Sequence, residues 1–329
     1  MSKVVKFNQT GEPDVLQIVD ETVSRPAAGE IQIKVAAIGL NRAEAMFRRG
    51  QYLETPELPA KIGYEASGTI TAIGEGVEGF KVGDAVSTIP NFSMNQYGAY
   101  AELTNMPAAA VSHHPANLSW EEATSIWMQY LTVYGALIDI AKMQADDYVL
   151  IPAASSSVGL AAIQICNLIG AIPIAMTRSN DKKQSLLDFG AKYVVVSQDD
   201  DVITTIEQIT HGKGVQIVFD PVAGPMLETL AAVTAQHGII FQYGALSTEP
   251  TPFPLFSVLA KGITVRGYTL FEFTSNPEAL TTARNEIYGW LESGQLKPVV
   301  AKTFSLDNII QAHQYMEANK QFGKIVVTV

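Results

Sequence analysis

The chain has 329 residues, 47% of them apolar, enough for one large domain or two ordinary ones with a sizeable core. Its formal charge of −11 argues against nonspecific nucleic-acid binding and against anionic membranes. No stretch approaches the roughly 20 apolar residues that span a bilayer, and the single cysteine, Cys166, excludes an internal disulfide and a multi-cysteine zinc site.

The opening residues, Met1 to Lys6, show no signal-peptide pattern, and a cytoplasmic location is expected. The first hundred residues read as β-rich. Segments 3–8, 16–21 and 30–39 alternate apolar and polar residues, separated by the turns 11–14 and 26–29. A short helix is expected over 42–49, closed by Gly50. Strands follow at 66–73 and 85–88, with glycines placed for the tight bends of a small curved barrel. Ser119-Trp120-Glu121-Glu122 has the spacing of a helix cap, and the segment 131–141 continues as helix.

Segment 148–151 reads as a buried strand. It enters a turn of small residues, Ala153-Ala154-Ser155-Ser156-Ser157-Val158-Gly159, then an apolar helix over 160–169 and a second strand over 172–176. Strand, tight turn, helix and strand form the first half of a dinucleotide-binding unit, where a pyrophosphate accepts from backbone N–H groups at the helix start. Ser155, Ser156, Ser157 and Val158 are the candidate contacts. The turn has one glycine where the fingerprint has up to three, and an ordinary serine-capped turn would share the local pattern.

The second strand ends at Thr177-Arg178-Ser179, with Lys182 and Lys183 one turn on. An NAD site usually places an acid there. A guanidinium with hydroxyl donors suits a 2′-phosphate, so the pattern favours NADP(H) over NAD, although Asp181 offsets part of the charge. Helices and strands then alternate to about residue 268, which implies a parallel, doubly wound sheet with ligands at its carboxyl ends. Val222, Ala223, Tyr243, Gly244 and Ala245 are thereby candidates to line a nicotinamide. The last strand, 263–268, is expected at a sheet edge, and unprotected edges tend to pair, so a homodimer is expected. Helices over 276–293 and 306–319 and a strand over 324–329 close the chain.

Four motifs arrive in order: Thr10-Gly11-Glu12-Pro13-Asp14-Val15-Leu16, Gly39-Leu40-Asn41, Gly63-Tyr64-Glu65-Ala66-Ser67-Gly68 and Val82-Gly83-Asp84-Ala85-Val86. With the tail Phe322-Gly323-Lys324-Ile325-Val326-Val327, the set resembles the zinc-free quinone oxidoreductase branch of the medium-chain dehydrogenase/reductase superfamily, over nearly the whole chain. The resemblance implies an α/β protein with a Rossmann doubly wound sheet, residues 125–267, inserted in a GroES-like β-barrel catalytic domain made of residues 1–124 and 268–329.

Zinc-dependent relatives place cysteine near position 41 and histidine near 64; this chain has Asn41 and Tyr64, so no metal is expected. Without a Lewis acid, hydride transfer to an electron-poor quinone or α,β-unsaturated carbonyl is more accessible than alcohol oxidation. Asn41, Tyr52 and Tyr64 are the candidate catalytic residues. Asn41 resembles the family asparagine beside the nicotinamide, and Tyr52 could donate a hydrogen bond to the substrate carbonyl. By the same resemblance Thr132, Tyr134 and Lys324 approach the cofactor. Phe271, Glu272 and Phe273 follow the last strand of the sheet, where they are expected to wall the substrate cleft, with Phe271 also a candidate cofactor contact; a hinge or dimer contact would suit the same segment. Each also has a bland reading: a turn asparagine, rim or core aromatics, helix packing, an edge lysine. Ser156 and Ser197 depart from the family pattern, where glycine and tyrosine are usual. Two alternatives stay open beside the quinone or enone reductase: an enoyl-thioester reductase, and a non-catalytic NADPH-binding or sensing protein.

Overall fold

A computed structural model describes all 329 residues. The chain forms two compact units, one of Met1–Met128 with Thr274–Val329 and one of Gln129–Phe273. The boundaries expected from sequence, 124/125 and 267/268, lie slightly earlier in each case. Helices span both junctions, Trp127–Val133 and Leu270–Thr274, so no turn signal marks them.

The first unit is built on a seven-stranded sheet. Its long central strand, Glu30–Gly39, alternates buried and more exposed residues before ending in a fully buried stretch. Glu30–Gly39 pairs antiparallel with Glu65–Ile73, Leu103–Pro107 and Lys324–Thr328. The last of these comes from the far end of the chain, so the unit closes only when both termini have been made. A three-stranded sheet of Gln17–Glu21, Ser2–Phe7 and Ala60–Lys61 packs alongside. The Arg42–Arg48 helix buries Ala45 and Phe47, and Phe47 meets Phe7 edge to face with centroids 5.9 Å apart.

The second unit is a six-stranded sheet in the order Tyr193–Val196, Ile172–Thr177, Tyr148–Ile151, Val215–Asp220, Thr234–Gln242 and Thr264–Gly267, every pair parallel. The order reverses direction at Tyr148–Ile151, which sets a crevice at the carboxyl ends of the central strands. Leu150, Ile174, Val218 and Ile240 from the sheet bury against Ile206, Leu227 and Leu230 from its helices.

Several elements differ from the sequence expectation. Segment 131–141 is not one α-helix: Trp127–Val133 is α-helical, but Tyr134–Ile140 winds more widely, with Ala141 N–H bonded to Ala136 O. The Met226–Val233 helix is short, because Thr234 turns to extended backbone and its hydroxyl donates to Leu230 O at 2.7 Å. The Leu255–Lys261 helix has no counterpart in the sequence reading. Its residues are mostly exposed, so no core-facing stripe announces it.

Candidate active site

Strand register brings the first group of candidates together. Gly39 pairs with Val326 on one side and Glu65 on the other. Asn41 and Lys324 thus converge on Glu65 at one end of the sheet. The Lys324 ammonium donates to Asn41 Oδ1 at 2.5 Å and to Glu65. The Asn41 amide nitrogen donates to Glu65 Oε2 and to Glu44 Oε1, both at 3.1 Å. Glu65 Oε1 accepts from Met128 N–H at 2.8 Å, and Glu44 accepts from the N–H groups of Asn41 and Tyr64. All four side chains are buried. Gly39 makes room for the lysine: a Cβ there would lie 2.9 Å from Lys324 Cε and 2.3 Å from Thr124 O.

Two carboxylates and one ammonium lie in this knot, and the ammonium bonds to Glu65 and not to Glu44. Burial pushes Glu44 up to about 7, against the opposing pull of the Lys324 charge and the N–H groups it accepts from. Sequence reasoning named Asn41 and Lys324 but missed Glu44 and Glu65. Glu44 had a signal, because it stands three residues after the helix-capping Asn41 and reaches back to its N–H. Glu65 had none beyond being an acid at the head of an apolar strand. As arranged, the Asn41 amide is engaged on both its donor and acceptor sides within the protein, and Lys324 is committed to Asn41 and Glu65. Both residues stiffen the wall of the site.

An aromatic wall stands on this knot. Tyr52 and Tyr64 have ring centroids 6.3 Å apart with their hydroxyls hydrogen-bonded, Tyr64 lies 5.5 Å from Phe92, and Phe92 lies 6.0 Å from Tyr97. Burial pushes Tyr52 up to about 12 and Tyr64 higher still. The hydrogen bond between them holds the Tyr64 proton in place and eases ionisation of Tyr52, so Tyr64 is the donor within the pair. Its proton directed to the Tyr52 oxygen leaves the Tyr52 O–H to donate elsewhere. The loop carrying Tyr52 is clasped to the loop carrying Phe92: Glu54 accepts from Ser93 Oγ at 2.6 Å and Met94 N–H at 2.8 Å, while Asn95 bonds Thr55 O and Glu57 N–H.

In the second unit the small-residue turn leads into the Ser157–Ile169 helix, capped by Ser156, whose hydroxyl accepts from Gly159 N–H at 3.0 Å. The N–H groups of Ser157 and Val158 in that first turn have no intrahelical acceptor. Gly159 cannot carry a side chain, since its Cβ would lie 2.6 Å from Ala154 O. Lys182 Nζ donates to Ser155 Oγ at 3.0 Å, which brings the basic helix start to the turn. Burial and the neighbouring Arg178 both lower the Lys182 pKa. Arg178 is exposed and forms no ion pair; Asp181 accepts from Ser179 Oγ instead. Thr177, Arg178 and Ser179 thus present a cation and hydroxyl at the strand end. These residues fit a phosphorylated adenosine.

At the next strand ends, buried Asp220 accepts from Val222 N–H at 2.8 Å and Ala223 N–H at 3.0 Å, holding Ala223 at φ 61°, a left-handed conformation that costs a residue with a Cβ. Gln242 donates to Asp220 O and Gly244 O, tying this loop to the one carrying Tyr243, Gly244 and Ala245. Tyr243 stacks on Phe219 at 4.0 Å, so its ring packs into the sheet end. Thr132 and Tyr134 are buried on the segment that starts the unit, with Tyr134 5.9 Å from Phe273; Phe271 is half-buried on the same short helix as Phe273.

Two family models match parts of the chain. Residues 27–116 match the alcohol dehydrogenase GroES-like domain, and residues 157–285 match the zinc-binding dehydrogenase model. The quinone oxidoreductase of Salmonella typhimurium is 32% identical over 98% of both chains. The chain belongs to the quinone oxidoreductases of the medium-chain dehydrogenase/reductase superfamily. This quinone oxidoreductase family member is an oxidoreductase of α/β fold, and the human quinone oxidoreductase is 30% identical to it over 99% of this chain and 98% of its own. The structure of the Escherichia coli quinone oxidoreductase complexed with NADPH superposes with a TM-score of 0.93 at 31% identity, covering 99% of this chain and all of that one. One matching family model is named for zinc, but the donor set here does not fit it. No three His, Cys, Asp or Glu side chains come together as a metal site, and Glu65 and Asn41 are bonded to an ammonium.

Proposed function

We propose that the protein is an NADPH-dependent reductase of quinones and of α,β-unsaturated carbonyls, working in the cytoplasm and without zinc. The observation that carries this reading is the Tyr64–Tyr52 hydroxyl pair standing on the buried Lys324–Glu65–Asn41 knot. It is a hydrogen-bond donor held in an aromatic wall above a charge-paired, hydrogen-bonded knot, where no metal ligand set exists.

The bound reduced nicotinamide supplies a hydride. Ser157 and Val158 offer N–H groups to the pyrophosphate, Arg178, Ser179 and Lys182 offer charge and hydroxyl donors to a 2′-phosphate, and Val222, Ala223, Gly244 and Ala245 shape the nicotinamide end. Tyr52, pushed up to about 12, stays protonated and donates to the oxygen on which charge develops. Tyr52 and Tyr97, the half-buried rings of the wall, give a flat acceptor an apolar face, with Tyr64 and Phe92 packed behind them. The relative solved with NADPH supports the cofactor reading.

We further propose a homodimer. Thr264–Gly267 is an edge strand of its sheet, and the exposed apolar side chains Phe253, Leu255, Phe256 and Leu259 lie on or just before the neighbouring Leu255–Lys261 helix.

Stopped-flow oxidation of NADPH and NADH against 1,4-benzoquinone, 1,4-naphthoquinone, a simple enone and crotonyl thioester tests the function. Quinone-dependent NADPH oxidation that survives chelation is expected. Preference for the thioester would favour an enoyl reductase, tight NADPH binding without turnover would favour a binding protein, and stoichiometric zinc by elemental analysis would overturn the metal-free chemistry.

A further inference from the structure

Glu44 is absent from the mechanism above, yet with Glu54 it is one of two carboxylates whose charge acts on both tyrosines of the pair, and it is the one bonded to the Tyr64 backbone. It is fully buried, and it accepts from the backbone N–H of Tyr64 at 3.1 Å and from both nitrogens of Asn41. No cation bonds to it. The ammonium that could neutralise it, Lys324, is bonded to Glu65. We propose that Glu44 is a positioning residue whose charge governs how strongly the Tyr64–Tyr52 pair donates to a developing oxyanion: neutral Glu44 supports reduction and ionised Glu44 opposes it.

The electrostatics follow from what faces it. Lys324 reaches it from the closing strand and Glu65 from the head of the Glu65–Ile73 strand. Tyr64, Tyr52 and Tyr100 also feel its charge, and a negative Glu44 makes each of these phenols harder to ionise. With Glu44 protonated, the knot of Glu44, Glu65 and Lys324 is neutral. With Glu44 ionised it carries one net negative charge beneath the wall, where the reduced acceptor must hold its own. Burial places the change near neutral pH, at about 7. A poorer phenol acid is a weaker donor, so both effects have the same sign. A unit charge on the order of 12 Å from the reacting oxygen, acting through an effective dielectric of about 20, changes a rate by about tenfold.

The inference rests on the quinone reductase reading and on Tyr52 as the donor. Its test is the pH dependence of kcat for NADPH oxidation with saturating 1,4-naphthoquinone, in the unmodified protein and in Glu44→Gln. The unmodified enzyme is expected to lose about tenfold in kcat as pH rises through 7. Glu44→Gln, whatever its absolute rate, is expected to show a flat profile over that window. Lys324→Met removes the charge that favours ionised Glu44, so the falling limb is expected to move to higher pH. As a check that needs no variant, infrared difference titration of the unmodified protein should show a buried carboxyl losing its proton in the same window. A flat profile in the unmodified enzyme, a limb at the same pH in Glu44→Gln, or no titrating buried carboxyl overturns the proposal. Absence of quinone turnover at every pH, or a Tyr52→Phe variant with undiminished kcat, overturns the parent reading instead.

Discussion

Lys324 and Asn41 stand 283 positions apart in the chain, yet the lysine ammonium lies 2.5 Å from the asparagine Oδ1 and is bonded also to Glu65, with Lys324 and Glu65 each 1% exposed. This contact fastens the last strand of the chain to the residue that starts the Arg42–Arg48 helix. Removing the cation would leave Glu65 buried with no partner of opposite charge. Lys324→Met is therefore expected to cost about 3–5 kcal/mol in urea unfolding. Adding Glu65→Gln to it should recover much of that loss, because the uncompensated charge goes with it. A double variant as unstable as the sum of its parts would show that the two side chains act independently.

Arg178 offers an exposed guanidinium that forms no ion pair, the nearby Asp181 accepting from Ser179 instead. If a 2′-phosphate is its ligand, Arg178→Ala should weaken NADPH binding by about 10- to 100-fold and leave NADH nearly unchanged, as read by calorimetry. Equal losses for both nucleotides would move the phosphate contact elsewhere, with Lys182 at the serine turn the next residue to test.

How legible the molecule was depends on the range over which each signal acts. The parallel sheet could be read directly, since strand, turn and helix follow one another locally and each leaves a pattern of its own length. The ordered motifs around Gly39, Tyr64 and Gly83 carried the barrel, and Asn41, Tyr52 and Tyr64 do fall into one wall. What stayed hidden was the partner of each. The Glu65–Lys324 bond depends on a register between strands from opposite ends of the chain, which no window of sequence contains. The wide turns of Tyr134–Ile140 were missed because their composition is that of an α-helix. Ala153 and Ala223 adopt positive φ where glycine would have advertised the conformation.

The edge strand Thr264–Gly267 and the apolar residues near it give the dimer a specific test. Phe256 is 83% exposed and Leu259 is 69% exposed, on a helix with no buried residue. Sedimentation equilibrium should show twice the chain mass for the unmodified protein. Phe256→Asp with Leu259→Asp should give monomers whose unfolding is otherwise unchanged, since neither side chain supports the core. A monomer at micromolar concentration without any substitution would leave this apolar surface unpaired in solution and end the dimer proposal.

His313 should make the protein acid-sensitive. It is completely buried on the Ile309–Glu317 helix, neither ring nitrogen has a hydrogen-bond partner, and the Tyr100 ring meets it edge-on at 5.8 Å. Burial, then the charges of Arg48, Arg42 and Arg49, push it from its ordinary 6.5 down to about 3. The Glu317 carboxylate, 3.9 Å from Nδ1, is already bonded to Arg48 and Arg49 and does not offset them. The folded protein therefore keeps this imidazole neutral while the unfolded chain protonates it. Its contribution to stability is complete above pH 6.5 and is lost as pH falls from 6.5 toward 3, amounting to about 2 kcal/mol by pH 5. His313→Leu removes the titrating group and two unpaired nitrogens together. Urea unfolding at pH 7, 6 and 5 should show the variant gaining about 2 kcal/mol relative to the unmodified protein between the first and last of these. Parallel curves would mean that the folded state accepts the proton after all, with Glu317 turned from the arginines to receive it.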